Sequence, residues 1–73
     1  MYTKCIVSGV VVHSVSGFPA IGERVYLRQV IDGGAIAYTV RDLHGGLWLA
    51  EWSYIDGRWT VKASENYPVL IIE

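Results

Sequence analysis

Cys5, His13 and His44 are the strongest transition-metal ligands among the side chains of this sequence. No Cys-x-x-Cys or His-x-x-x-His spacing links them, and a zinc site would also have to recruit a carboxylate. The expectation is therefore no metal and no cofactor, with Cys5 a small buried hydrophobe and the two histidines loop or strand-end residues. Asp42-Leu43-His44 sets a carboxylate beside an imidazole. A nucleophile would have to come from Ser14, Ser16 or Ser53, none of which stands in an elbow-like setting. Gly33-Gly34 and Gly45-Gly46 open no helix whose N-terminus would hold a phosphate, so both read as turns. Asp32, Asp42 and Asp56 occupy turn positions that favour Asp structurally. Glu51 lies mid-strand among apolar residues, so its carboxylate is either solvated or paired with Arg58, Lys62 or a partner's cation. An enzyme is not expected.

Binding is the better-supported chemistry. In the stretch 47–55, Leu47, Leu49 and Ile55 share one strand face with Glu51 and Ser53, while Trp48, Ala50, Trp52 and Tyr54 share the other. A domain this small covers one face of a sheet but rarely both. Either Trp48, Trp52 and Tyr54 form the core, leaving Leu47 and Leu49 as a surface patch, or they form an exposed aromatic strip suited to recognition. Arg24, Tyr26 and Arg28 share a face of their own strand, and Arg41 joins them across the next one, a basic and aromatic patch on a near-neutral chain.

The elements that must position these residues are strands. Val, Ile, Tyr, Trp and Thr are dense, Gly or Pro punctuates the chain at short intervals, and no window carries an unbroken helical apolar pattern. The pattern predicts strands over 4–13, 24–30, 35–41, 47–55, 58–63 and 67–72. Gly9 marks a bend, bulge or close backbone approach in the first. The loop 14–22 is Gly- and Pro-bearing, with Phe18 pinning it to the core. Asp32-Gly33-Gly34 reads as a hairpin, and Asp56-Gly57 as a two-residue type I′ turn. Val25 and Leu27 point inward, as do Trp59, Val61 and Ala63, with Arg58, Thr60 and Lys62 outward. After a polar link over 64–66, Pro68 restricts the last strand to a sheet edge or a strand start, and its continuous apolar run requires cover on both faces.

Length and composition set the frame. At 73 residues the chain is one domain (1–73) that buries roughly 60% of its unfolded surface, so its core must be well packed or completed by a partner. With 52% hydrophobic and 18% charged residues it is neither a disordered tail nor a membrane span. A formal charge of -1 supplies no global field toward phosphate backbones or anionic lipid. The single cysteine closes no intrachain disulfide, and the N-terminal run lacks a clean cleavage site; both point to the cytoplasm.

Three pieces of sequence resemble the opening of carboxypeptidase regulatory-like (prealbumin-like) domains: Val7-Ser8-Gly9-Val10-Val11, Gly17-Phe18-Pro19-Ala20-Ile21-Gly22 and Val25-Tyr26-Leu27. The stretch from Thr39 to Trp48 is similar to that family's Thr-Asp-x-x-Gly-x-aromatic turn, and Gly57-Arg58-Trp59-Thr60-Val61 to its Gly-x-aromatic-x-Leu strand. The resemblance spans 6–68 and implies a non-catalytic β-sandwich module that decorates or connects larger proteins. An SH3-like small barrel, by analogy of fold, also fits five or six short strands and would bind peptide or nucleic acid on exposed aromatics.

The sequence thus predicts an all-β, single-domain antiparallel meander of about five to six strands closing into a small barrel or sandwich. Its expected role is a non-catalytic protein-binding or assembly module, a homo-oligomer or subunit with no membrane attachment. Trp48, Trp52 and Tyr54 would be buried on association, and Tyr26 and the rim arginines Arg24, Arg28 and Arg41 would set orientation. One alternative is a compact intracellular inhibitor of the phage anti-defence type that occludes a larger enzyme or nuclease. Another is a nucleic-acid-binding small barrel using Tyr26 and the arginines.

Overall fold

The computed structural model describes the backbone of residues 3–73 and the side chains of 7–73 apart from Asp32. Cys5 therefore lies outside the described side chains. Six strands follow one another: β1 (Thr3–Ser14), β2 (Arg24–Asp32), β3 (Ala35–Arg41), β4 (Leu47–Ser53), β5 (Arg58–Ser64) and β6 (Tyr67–Ile72). Each pairs antiparallel with the next, and β6 returns to β1, closing a barrel. This is the all-β meander the sequence predicts, in its barrel form. No helix among the described residues is long and apolar enough to cross a membrane.

Two strands make closure possible by changing partners along their length. β1 pairs with β2 from Thr3 to Val10 and with β6 from Val11 to Ser14, with register breaks between Cys5 and Val7 and between Val11 and His13. Bulges of this kind bend a strand and increase its twist, which lets one strand serve two sheets. β4 does the same without a bulge: Leu47 to Ala50 pair with β3, and Glu51 to Ser53 with β5. The barrel is thus two four-stranded sheets, β1-β2-β3-β4 and β4-β5-β6-β1, sharing β1 and β4.

The core is the inner face of both sheets. Leu27, Val61, Leu70 and Ile72 are completely buried, with Val11, Val25, Val40, Ala50 and Val69 around them. β6 lies between β5 and β1, and of its run Val69-Leu70-Ile71-Ile72 the barrel buries Val69, Leu70 and Ile72 and leaves Ile71 half-buried. Its expected position at a sheet edge is corrected by this pairing. Pro68 fits because it is the second residue of the strand, where the β5 register also breaks on either side of Lys62.

Turn chemistry differs from expectation at one place. Gly33 and Gly34 have φ of 59° and 87° and join the paired residues Asp32 and Ala35, a two-residue hairpin turn of the I′ kind. Asp56-Gly57 does not make such a turn. β4 ends at Ser53 rather than at 55, and residues 54–57 form a longer loop closed by the Gly57 N–H donating to the Ser53 carbonyl at 2.7 Å. The Ser53 hydroxyl accepts from the Asp56 N–H and donates to the Asp56 carboxylate, both at 3.2 Å. This local closure leaves Tyr54 and Ile55 no place in the strand. At the other side of the sheet, 65–66 form a two-residue turn, since Ser64 pairs with Tyr67.

Candidate functional site

The two ends of the barrel are built differently. At one end the long loop 15–23 folds over the opening: Phe18 and Pro19 are buried, and the Phe18 ring meets the Trp48 ring edge-on at 5.1 Å. The Leu43 N–H donates to the Gly17 carbonyl at 2.9 Å, tying this loop to the β3–β4 turn. Phe18 thus pins its loop as expected.

Asp42 organises that β3–β4 turn. Its Oδ1 accepts the N–H groups of His44 and Gly46, both at 2.8 Å, and its Oδ2 accepts the Trp48 indole N–H at 2.9 Å. The Trp48 donor, then the Gly46 amide, hold the Asp42 carboxyl below its ordinary value of 3.8, against a smaller opposing effect of desolvation. With its oxygens committed in this way Asp42 acts as a structural cap of the turn. A carboxyl whose folded pKa is depressed stabilises the fold above its unfolded value and loses that contribution as pH falls through the folded one. Asp42→Asn should therefore melt below the wild-type temperature at neutral pH, with the gap narrowing as pH drops below 3.8. A gap independent of pH in a calorimetric series would refute this account.

The opposite end has no such loop. β4 leaves β3 after Ala50, so the tip of the β2–β3 hairpin stands apart, with Ile31 paired to Ile36 and both exposed. Beside it, four aromatic rings form a chain. Tyr38 lies 4.9 Å from Trp59, Trp59 lies 5.4 Å from Trp52, and Trp52 lies 6.4 Å from Tyr54. Ala50 is the reason Tyr38 and Trp59 meet: it sits opposite Tyr38 on the strand between them and has no bulk to separate the rings. Exposure rises along the chain, from half-buried Tyr38 and Trp59 to 41% at Trp52 and 90% at Tyr54, and Ile55 beyond is 97% exposed. Among the described residues, the apolar interior therefore ends here in an open lip.

The aromatic strip expected on β4 is accordingly divided. Trp48 and Ala50 point inward, and Trp48 is half-buried against the core with its N–H on Asp42. Trp52 has the same strand parity but lies at the lip, while Tyr54 belongs to the following loop. Leu47 and Leu49, on the other face of β4, are both exposed. Glu51 is exposed too, paired across strands with Thr60. Tyr38, Trp59, Ile31 and Ile36 join the lip although nothing in the sequence reading assigned them to it. The symmetric placement of the two isoleucines about Gly33-Gly34 was the available signal.

Arg24, Tyr26, Arg28 and Arg41 do come together, on the outer face of β2 and β3. Arg28 pairs with Thr39 and Arg41 with Leu47, and Tyr26, Arg28, Thr39, Arg41 and Leu47 line one shallow depression. Arg24 and Arg41 sit at the ends of their strands away from the lip, so they do not form its rim. Among the described residues the one ion pair is Arg58 with Glu73, at 3.1 Å, and no three of His, Cys, Asp and Glu are grouped to hold a metal. Compared with family models, curated proteins and solved structures, the chain matches none.

Proposed function

We propose that this domain is a non-catalytic protein-binding or assembly module that docks through the lip formed by Trp52, Tyr54, Ile55, Ile31 and Ile36. The observation that carries this reading is the asymmetry of the barrel: one end is covered by its own loop and the other displays large apolar side chains with nothing over them among the described residues. Exposed aromatics seated on a rigid, packed base are the usual composition of an interface centre. Trp52 is held by Trp59 and Tyr54, so little side-chain freedom is lost when a partner covers it.

Light scattering coupled to size exclusion over a hundredfold concentration range distinguishes a second copy from a foreign partner as the occupant. Tyr54→Ser with Ile55→Ser is the decisive variant. Both side chains are almost fully exposed, so stability should change by no more than about 0.5 kcal/mol. Association should weaken by roughly thirtyfold or more, the loss expected for a hot-spot residue of about 2 kcal/mol. Unchanged association with an unchanged fold would sink the lip as the docking surface. An inhibitor of a larger enzyme or nuclease would use the same lip, and its mark would be a stoichiometric, salt-insensitive complex.

A further inference from the structure

The arginine face of β2 and β3 lies away from the lip and is unusual for a chain of net charge -1. Three of the six Lys and Arg residues, Arg24, Arg28 and Arg41, stand there, and none makes an ion pair among the described residues. Two are steadied by neutral acceptors: Arg24 donates to the Ser8 hydroxyl at 3.1 Å, and Arg41 to the Gly45 carbonyl. Each guanidinium keeps further donors free, since the group carries five N–H bonds in a planar fork.

Spacing gives the face its specificity. The β2–β3 ladder ends where Arg28 pairs with Thr39, and there Tyr26, Arg28 and Arg41 line one depression between the two strands. Arg24, Tyr26 and Arg28 recur at every second residue on the outer face of β2, with the exposed tyrosine between two cations and Arg41 beside it in the depression. Side chains on one face of an extended peptide recur every two residues, about 6.4–6.8 Å. Carboxylates at alternate positions would therefore meet successive guanidiniums, and Leu47 and Leu49, both exposed beside Arg41 and Thr39, would receive apolar residues between them.

We propose that this face is a second binding site, which takes an extended protein segment carrying acidic residues at alternate positions. The site goes beyond the lip and does not depend on it. A protein segment suits it better than a nucleic acid because Leu47 and Leu49, exposed beside Arg41 and Thr39, would take apolar side chains that a phosphodiester backbone does not carry.

The test uses a fluorescein-labelled peptide of alternating Glu and Leu, the same peptide with Gln for Glu, and an oligouridine of matching length, each titrated into the full chain by anisotropy. The expected result is saturable binding of the Glu peptide, at least tenfold weaker binding of the Gln peptide, and at least tenfold loss in Arg28→Glu and in Arg41→Glu with melting curves retained. The Tyr54→Ser, Ile55→Ser variant should bind the Glu peptide as the wild type does, which separates failure of this site from failure of the lip. Absence of saturable binding, equal binding by the charge-reversed variants, or tighter binding of the oligouridine would each overturn the proposal.

Discussion

Gly9→Ala should destabilise the domain by about 3 kcal/mol, at the upper end of the ordinary cost of overpacking a core, and Gly9→Val by more. A Cβ built at Gly9 would stand 2.5 Å from Ile72 Cγ2 and 2.6 Å from the Glu73 carbonyl oxygen, distances at which something must move. The neighbour that would have to move is the end of β6 itself. There Val10 and Glu73 exchange both backbone hydrogen bonds, at 2.8 and 2.9 Å, and Ile72 is completely buried. The glycine is required for space, not for a left-handed backbone, because its φ is not among the positive ones. Any side chain there pushes β6 off β1 and opens the closing seam of the barrel. Folding stability for a chain of this length is on the order of 4–11 kcal/mol, so the alanine variant keeps about 1–8 kcal/mol of it and the valine variant less. Urea titration followed by tryptophan fluorescence reads both. An alanine variant with the wild-type midpoint would show that β6 does not approach β1 this closely.

Leu70→Ala is the second large effect, a loss of about 2–5 kcal/mol. Leu70 has no exposed surface and is paired on one side with Val61, itself completely buried, and on the other with Ser14 of β1. Strands tether it on both sides, so the space left by truncation does not collapse readily, which places the cost toward the top of that range. Leu49→Ala is the matched comparison: the same atoms are removed from a side chain that is 64% exposed, and the change should stay within about 0.5 kcal/mol. Equal midpoints for the two variants would contradict the inward and outward assignment of the strands. The pair also bears on function, because Leu49 lies beside the arginine face and its loss should weaken the alternating Glu and Leu peptide without unfolding the domain.

Particular residues show how far the sequence could be read. β3 begins and ends where alternation and flanking turns predict, 35–41, and Val25, Leu27 and Val61 lie inward as their strand parity requires. Ala63 does not, because the register breaks around Lys62 turn it out to solvent. Asp56-Gly57 misled for a definable reason. A type I′ turn needs positive φ at both central residues, and no described residue other than glycine adopts one. The Ser53 hydroxyl offered the Asp56 amide and carboxylate a closer partner, and the chain took the longer loop. That loop carries Tyr54 and Ile55, so the one misread turn is also the one that creates the most exposed part of the candidate site.

Period-two alternation, turn residues and a composition too apolar for disorder determined by themselves that this chain is a β-meander and which residues share a strand face. They also determined that Arg24, Tyr26 and Arg28 stand together. Only the tertiary structure decided which face of β4 lies inside and what becomes of each aromatic on it. Trp48 and Trp52 have the same parity and the same chemistry. One is half-buried because the loop carrying Phe18 folds over its end of the barrel, and the other is more exposed because β4 changes partners beside it and no loop among the described residues returns there. Those outcomes depend on contacts between segments far apart in the chain, and alternation within a single strand carries no information about them.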